Sequence, residues 1–542
     1  MAENAARLPE GRKGRFQSSL LLFSAFLIAA CGLIYELIAG TVSSYLLGDS
    51  VTQFSRTIGV YLFAMGVGSY LSRFILRNPI DKFIELEIVL ALIGGFAAPL
   101  LFLAFSFTEH YAYLLYILLI VVGSLVGLEI PLLLRILKDR MTFRDLVARV
   151  LSLDYIGGLV AAVSFPVLLL RPEVGLLRAS LLAGLLNVLV AFVAIYIFQQ
   201  QIRLRSQLIK ACAVLLALTL GLVYSRPLQG FLDGELHTDP VVYSEQSHYQ
   251  KIVMTSWHEH FSLFLNNNLQ FNSFDEYRYH EALVHVPVQM WADGKGITQA
   301  SVPASMPYAA ARMKAPQEPM LRVLIMGGGD GLAVREFLKY KNLKSVDLVD
   351  IDPAMTKLAR EHVWLGALNG AALSDPRVTV YHEDAFLFIQ KPDRLYDVII
   401  LDFPDPGNFA VGKLYSDVFF HRLKRVMADG AVAVTQSTSP FVARTAFWCI
   451  RNTVASQKFY TVPYHTYVPS FGEWGFVAFS RSPINMPEKL TVISGLRFLT
   501  GDLLRSMANF PADMGPVQTE LQTLMTQNLV HYYEKEWHRA TR

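Results

Sequence analysis

Seven long apolar runs fill the first 225 residues and limit what this part of the chain can fold into. They lie near 17–40, 57–76, 84–107, 111–137, 148–170, 173–198 and 208–225. Most of them reach the roughly 20 residues that a helix needs to cross a bilayer. Hydrophobic residues make up 53% of the chain and charged residues 17%, which is too apolar for a purely soluble protein. We predict a basic lead over residues 1–16 and a membrane domain of about seven helices over residues 17–225.

A few acidic residues lie within these runs, and we consider three of them as candidates for function. Glu36 lies in the first run, Glu129 in the fourth, and Asp154 near the start of the fifth. An acidic side chain at membrane depth is costly and usually faces a cavity, a partner or a pathway. One interpretation is a route or sensor for cationic amines. The other is hydrogen bonding between helices that pack closely through small residues such as Gly66, Gly68, Gly157 and Gly158, and the sequence leaves both open.

The second half of the chain mixes strands and helices. Short strands and a following helix predict a small β-hairpin domain over residues 241–288, and residues 289–320 look like a connection. An α/β core follows over residues 321–485. Its predicted strands lie near 322–326, 346–350, 378–381, 397–401 and 431–435. Strands that alternate with helices predict a Rossmann-like parallel sheet, which binds its ligand at the carboxyl ends of the strands. Residues 486–542 predict a helical tail that docks on the core or contacts another copy.

A glycine-rich turn carries the clearest ligand signal. An apolar strand leads into a turn that holds Gly327, Gly329 and Gly331. A helix follows, and then a second strand that ends at Asp350. Glycines let the backbone approach a ligand closely, and an acid about 20 residues further on is placed to grip a ribose diol. Asp330 lies inside the turn, where it would repel a phosphate, so we expect a nucleoside that bears positive charge.

Five acidic residues follow the predicted strands at the same edge of the sheet. They are Asp330, Asp350, Asp384, Asp402 and Asp405. Each one alone could cap a helix or form a turn, which is the commonest role of Asp after a strand. Five independent caps at one edge are a weaker explanation than a shared site, and five acids suit a pair of cationic ligands.

The sequence argues against metal and nucleic-acid sites. The three cysteines show no repeated spacing. Histidines at 248, 258 and 260 alternate in a predicted strand region without a fourth ligand at suitable spacing, so solvated histidines are favoured over a zinc site. The net charge of +3 is small, and no basic stripe carries interleaved aromatic residues. We therefore expect no metal and no nucleic-acid partner.

Segments between residues 249 and 476 resemble the spermidine synthases, the polyamine aminopropyltransferases. They are YQKI at 249–252, LFLNNNLQFNSFDEYRYHEALVHVP at 263–287, GGGDG at 327–331, VDID at 349–352, EDA at 383–385, LDFPDP at 401–406, KLYS at 413–416 and TYVPSFGEWGF at 466–476. Several motifs in the right order are more specific than one glycine turn. The whole chain resembles the bacterial variant in which a multi-helix membrane segment precedes the synthase.

The resemblance implies a donor site for decarboxylated S-adenosylmethionine, which is a co-substrate and not a bound cofactor. Gln250, Asp350 and Asp384 would hold its methylthioadenosine part, beside the glycine turn. His280 and Asp330 would meet its aminopropyl end. Ordinary S-adenosylmethionine adds a carboxylate that would face Asp330, so this residue should select the decarboxylated donor.

The resemblance also implies a channel for a polyamine acceptor. Its lining would be Tyr279, Asp402, Asp405, Gln436 and Tyr467, and Asp402 would be the catalytic residue that assists proton removal from the attacking nitrogen.

Four departures from the family pattern put the identity of the acceptor in doubt. They are Asn266 in place of Asp, Leu332 in place of a second glycine, Phe403 and Pro404 in place of small polar residues, and a longer TYVPSFGEW loop.

Three functions remain open at this point. The first is transfer of an aminopropyl group to putrescine or a similar polyamine, which gives spermidine or an analogue and methylthioadenosine. The second is an amine methyltransferase that uses intact S-adenosylmethionine, which Asp330 disfavours. The third is a polyamine transporter or sensor with a non-catalytic binding domain. The expected partners are a polyamine, the lipid bilayer and a second copy of the chain.

The orientation in the membrane is ambiguous from sequence. Basic residues favour the cytoplasmic side, and they cluster before the first run and after the second, fourth and sixth. The N-terminus is therefore expected inside, and no cleavable signal peptide is expected because the first run is too long for one. Seven crossings would place the catalytic half outside, whereas a cytosolic donor requires it inside. We favour a multi-pass protein of the cell (inner) membrane with a cytoplasmic catalytic domain.

Overall fold

The computed structural model describes residues 12–47, 50–108, 110–138, 141–169, 174–235, 237–297, 319–391 and 393–540. The chain divides into two compact units, Met1–His248 and Tyr249–Arg542. Most of the predicted basic lead, up to residue 11, lies outside the described residues. Most of the predicted connection, residues 298–318, lies outside them as well.

The first unit is built from helices. They are Arg12–Leu47, Ser50–Leu71, Pro79–Gly95, Ala97–Phe107, Tyr111–Leu137, Phe143–Ser164, Gly175–Phe198, Leu204–Val223 and Ser225–Glu235. Strand β1, Val241–Gln246, follows them.

Within the described residues, six segments of this unit are long and apolar enough to cross a membrane. They are Phe16–Ser44, Pro79–Phe105, Tyr111–Leu137, Phe143–Val167, Gly175–Phe198 and Leu204–Val223. The predicted span at 57–76 is also helical, as Ser50–Leu71, but it is not one of the six. Gln53 and Arg56 lie in its first two turns and lower its hydropathy.

Small residues let the helices of this unit approach closely. A Cβ atom on Gly68 would lie 1.9 Å from the backbone oxygen of Ser124, and one on Gly157 would lie 2.3 Å from that of Phe26. Both contacts are far too short for any larger residue. Gly68 and Gly157 therefore serve the helix packing that the sequence indicated for them, whereas a Cβ on Gly66 would meet nothing within 4 Å.

The second unit begins with a small antiparallel sheet. Its strands β2 (Lys251–Trp257), β3 (His260–Leu265) and β4 (Asn268–Asn272) pair in chain order. The turn between β3 and β4 uses Asn266 and Asn267 at positive φ, a conformation that Asn tolerates better than most residues. The helix Glu276–Gly294 follows and is longer than predicted, since it continues through Pro287.

A seven-stranded sheet forms the core of the second unit. Its strands are β5 (Leu321–Gly327), β6 (Leu343–Val349), β7 (Val378–Tyr381), β8 (Tyr396–Asp402), β9 (Met427–Gln436), β10 (Tyr460–Val468) and β11 (Gly472–Ser480). They lie in the order β10-β11-β9-β8-β5-β6-β7. The five predicted strands, β5 to β9, are parallel, which confirms the Rossmann-like fold. The hairpin of β10 and β11 joins antiparallel to β9 and was not predicted.

Shorter helices connect these strands and end the chain. They are Leu332–Phe337, Pro353–Glu361, Val363–Leu368, Ala385–Phe388, Phe409–Gly412, Asp417–Leu423, Arg444–Ser456, Gly501–Met507 and Asn528–Ala540. The tail is less helical than predicted, because residues 517–527 form turns and extended chain. It docks on the core, where the Glu536 carboxylate accepts hydrogen bonds from the N–H groups of Thr445 and Ala446.

Candidate active site

The glycine turn brings two strand ends together. Gly327 has a φ of +81°, and a Cβ atom there would lie 2.0 Å from the backbone oxygen of Asp402. A Cβ on Gly329 would lie 2.5 Å from Oδ2 of Asp350. Gly331 also has positive φ and begins the next helix. The turn therefore lies between the two predicted ligand-binding aspartates, and larger residues at these positions would push them apart.

Asp350 is held by the backbone of the turn. Its Oδ2 accepts a hydrogen bond of 2.9 Å from the N–H of Gly329, and its Oδ1 accepts one of 2.8 Å from the N–H of Asp352. Burial raises the pKa of Asp350 to about 6, although these hydrogen bonds oppose the rise. The carboxylate is thus fixed in place without a basic partner.

Gln250 contacts an aspartate beside the predicted donor site. Its Nε2 donates to Oδ2 of buried Asp352 at 2.9 Å, while Oδ1 of Asp352 accepts from the N–H of Ala354 at the start of a helix. Asp352 therefore connects Gln250 to the end of β6. Sequence reasoning quoted Asp352 within the VDID motif but gave it no role.

Asp384 and Asp330 both make local turn contacts. Asp384 caps the helix Ala385–Phe388 by accepting from the N–H of Phe386, and its other oxygen lies 2.5 Å from Nζ of Lys413. Asp330 accepts from the N–H of Leu332 at 2.8 Å. Burial raises the pKa of Asp330. The capping role weighed for these residues is thus real, and Lys413 of the KLYS motif is an additional partner.

His280 belongs to a buried charged network. Its Nδ1 lies 2.7 Å from Oε2 of Glu276, and Arg335 donates two hydrogen bonds, of 2.9 and 3.0 Å, to the same carboxylate. Burial alone would lower the pKa of His280, but Glu276 raises it overall. The charges of Asp330 and Asp402 also raise the pKa of His280, so these acids favour its protonated ring.

Asp402 ends β8 and is held by Tyr279. The Tyr279 hydroxyl donates to Oδ1 of Asp402 at 2.5 Å. Burial raises the pKa of Asp402 to about 6; His280 and the Tyr279 hydrogen bond oppose this rise, and the charge of Asp330 adds to it. The predicted pairing of these two residues in one site is therefore present in the geometry.

Asp405 is contacted by the C-terminal tail. The hydroxyl of Tyr533 donates to Oδ2 of Asp405 at 2.9 Å, and Nε2 of Gln436 lies 3.4 Å from Oδ1. Burial raises the pKa of Asp405 to about 6, and the two hydrogen bonds oppose the rise. Gln436 is itself fixed, since its Nε2 donates to the backbone oxygen of Phe403 at 2.6 Å and to the hydroxyl of Tyr415 at 2.8 Å.

Comparison with known proteins assigns this site to a family. The Spermine/spermidine synthase domain matches residues 276–488. The polyamine aminopropyltransferase of Leptospira interrogans is 46% identical over 523 residues, which cover 96% of this chain and 99% of that protein. The chain belongs to the polyamine aminopropyltransferase family. Polyamine aminopropyltransferase 2 of Ralstonia nicotianae is 42% identical over 533 residues, which cover 97% of this chain and 99% of the relative.

A solved structure also resembles the chain. Spermidine synthase from Thermotoga maritima is 21% identical, with a TM-score of 0.41, and the match covers 50% of this chain and 84% of that one. The family resemblance that the motifs indicated is confirmed by the two full-length relatives. The roles of individual residues within this aminopropyltransferase remain predictions.

Tyr467 lies at the surface, whereas the acids of the aminopropyltransferase site are half-buried. Its side chain is 53% exposed, and its backbone oxygen accepts a hydrogen bond from Arg278. The longer loop instead brings Phe471 to Tyr279, with ring centroids 6.5 Å apart. Phe403, another departure from the family pattern, is buried against Tyr415 and so belongs to the core.

Sequence reasoning missed two residues that support this site. Tyr533 contacts Asp405 from 128 positions further along the chain, and no local pattern links the two. Glu276 pairs with both His280 and Arg335. It lies within the quoted segment at 263–287, four positions before His280. A helical spacing of four residues between an acid and a histidine was the available signal for Glu276.

Proposed function

We propose that this chain transfers the aminopropyl group of decarboxylated S-adenosylmethionine to putrescine or a similar polyamine. The products are spermidine, or an analogue, and methylthioadenosine. The observation that carries the proposal is the pair of half-buried carboxyls, Asp402 and Asp405, beside the glycine turn. Each has its pKa raised to about 6, and neither has a basic partner among the hydrogen bonds of the described residues. Carboxylates in this situation are suited to protonated amines.

The contacts of Asp350, at the carboxyl edge of the sheet, support the proposed donor site. Its carboxylate is fixed by two backbone N–H groups and remains able to accept hydrogen bonds from a ribose diol. Asp330, inside the turn, would receive the primary ammonium of the aminopropyl group. The carboxylate of undecarboxylated S-adenosylmethionine would instead be repelled by Asp330.

The reaction moves one electron pair from nitrogen to carbon and another from the carbon–sulfur bond to sulfur. A new N–C bond forms, the C–S bond breaks, and the sulfonium becomes a neutral thioether. The attacking amine must first lose a proton, and its pKa in water is about 10.4. Asp402, with a pKa of about 6, cannot remove this proton unaided. Desolvation in the site lowers the pKa of the amine, so that its proton passes to the Asp402 carboxylate or to water. Asp402 and Asp405 hold the nitrogen in line with the carbon–sulfur bond.

Replacement of Asp402 by asparagine tests this function. Asp402→Asn should abolish methylthioadenosine release from the decarboxylated donor and putrescine, while donor binding is largely retained. Asp429→Asn is the control, because Asp429 is fully exposed. Unchanged turnover in Asp402→Asn would remove Asp402 from the mechanism. Tighter binding of intact S-adenosylmethionine than of its decarboxylated form would favour a methyltransferase instead.

We also propose that the first unit anchors the enzyme in the cell membrane with its catalytic unit in the cytoplasm. The six apolar segments support an anchor. Six crossings return the chain to the side on which it began, and the basic residues before the first segment favour the cytoplasm for that side. A reporter fused after Arg542 tests the proposal, since alkaline phosphatase activity at that position would contradict it and fluorescence of a cytoplasmic reporter would support it.

A further inference from the structure

Two glutamates face each other inside the helical unit. Glu87 lies on the helix Pro79–Gly95 and is fully buried, and Glu129 lies on the helix Tyr111–Leu137 and is 1% exposed. These two helices pack directly against each other, and the two carboxyl groups lie close enough to interact. Within the part of the chain that the structure describes, none of their four oxygens has a hydrogen-bond donor. Ionised carboxylates can only accept hydrogen bonds, so the pair needs either a shared proton or a bound donor.

Neutral polar groups around this pair are also without partners among the described residues. The hydroxyl of Tyr35 is buried, makes no hydrogen bond, and is close enough to both carboxyls to sense their charges. The side-chain amide of Asn187 is likewise buried and unpaired. Ser180 donates to the backbone of Gly94 and Gly95, which fixes an antiparallel register between two helices.

The same register places Asn187 near the glutamate pair. A Cβ on Gly184 would lie 2.7 Å from the backbone oxygen of Ala91, one turn further along both helices. Asn187 then falls at the level of Glu87. An amide oxygen and a phenolic oxygen therefore lie beside the carboxyls, and both can accept hydrogen bonds.

The described charges near the pair are all negative. Glu129 is acted on by Glu87 and Asp154, and Tyr61 by Glu129 and Glu36. The basic residue Arg135, further along the same helix as Glu129, is engaged with the backbone oxygen of Ile75. Buried uncompensated carboxylates are very costly. Either protonation or a bound cation therefore relieves the cluster.

We propose that Glu87 and Glu129 form a binding site for the protonated amino group of a diamine or polyamine. An ammonium group supplies three N–H donors, which match two carboxylates and the oxygen of Tyr35. A metal ion is disfavoured because, among the described residues, no three His, Cys, Asp or Glu side chains come together. The site is independent of the aminopropyl transfer proposed for the second unit.

Equilibrium dialysis of the purified full-length chain with radiolabelled putrescine tests the site. We expect two putrescine molecules per native chain, one at the catalytic site and one at the glutamate pair. The double variant Glu87→Gln/Glu129→Gln should bind one. Glu85→Gln is the matched control, since Glu85 is on the same helix but pairs with Lys82 and Lys210 at the surface, and it should bind two.

The reciprocal variant identifies which site is lost. Asp402→Asn/Asp405→Asn should keep the molecule bound at the glutamate pair. Equal putrescine binding by the native chain and by the glutamate double variant would overturn the proposal. If the double variant does not fold, as judged by circular dichroism and gel filtration, Tyr35→Phe decides. Removal of its hydroxyl should weaken the second binding event about tenfold, and unchanged affinity would overturn the proposal.

Discussion

The contact between the tail and the acceptor carboxyl gives a quantitative prediction. Tyr533→Phe removes the hydroxyl that donates to Asp405 at 2.9 Å and leaves the weaker contacts with Gln436, at 3.4 Å, and with Thr438. A hydrogen bond to a charged group contributes about 1.5 kcal/mol, which corresponds to about one pKa unit. Burial raises the pKa of Asp405 to about 6, and the Tyr533 bond opposes that rise. The variant should therefore have a still higher pKa at Asp405.

The direction of the pH effect follows from the ionisation state of Asp405 that binds an ammonium group. Ionised Asp405 is present above its pKa and is lost as the pH falls through it. With a pKa near 6 in the native chain and about one unit higher in the variant, kcat/KM for the acceptor should fall roughly fivefold at pH 6 and by only about a tenth at pH 8. The assay is the pH profile of kcat/KM for putrescine at saturating donor, expressed as the ratio of variant to native.

A neighbouring tyrosine supplies the control. Tyr532→Phe removes a hydroxyl from the same helix that contacts the N–H of Glu520 and not the acid, so its ratio should not change with pH. If Tyr533→Phe gave a constant ratio from pH 6 to pH 8, the Tyr533 hydrogen bond would not set the ionisation of Asp405. A loss of equal size at every pH would indicate a displaced tail instead.

Three further changes test other parts of the site. Gly327→Ala puts a Cβ atom 2.0 Å from the backbone oxygen of Asp402 at a φ of +81°, so donor binding by calorimetry should be lost; native affinity would show that the turn is not tight. Glu276→Gln removes one of the two buried carboxylates that pair with Arg335 and should lower the free energy of unfolding by about 2 kcal/mol in denaturant titration, unlike exchange of an exposed acid. Glu536→Gln weakens the docking of the tail and should raise KM for the acceptor while kcat changes little, as measured by initial rates.

The α/β core was predictable because its signals are local. Strands such as Val323 to Met326 are continuous apolar runs that are fully buried, and the acids follow them directly. In parallel strands, the carboxyl ends meet at one edge, so Asp350 and Asp402 could be brought together from sequence alone. The glycine turn between them was predictable for the same reason, since it lies within one strand–turn–helix unit.

Contacts between distant parts of the chain were not predictable. Tyr533 reaches Asp405 because the last helix docks on the helix Arg444–Ser456, and no pattern around either residue indicates that docking. The hairpin of β10 and β11 was missed because the TYVPSFGEW segment, which contains its turn, was interpreted as a loop. Glu87 was missed because a single acid near the start of an apolar run resembles an interfacial residue; only packing against Glu129 shows that it is fully buried.

Burial acts on every acid of the catalytic unit in the same direction, yet the outcomes differ. For Glu276, burial would raise the pKa, but hydrogen bonds and charges from His280 and Arg335 outweigh it and bring the pKa to about 2. For Asp350 and Asp402, burial prevails and the pKa rises to about 6, because their hydrogen-bond partners in the structure are neutral groups. A compensated acid such as Glu276 has its counter-charge within the fold and so serves the architecture. Asp350 and Asp402 have no charged hydrogen-bond partner among the described residues. The cationic donor and acceptor would supply the missing positive charge.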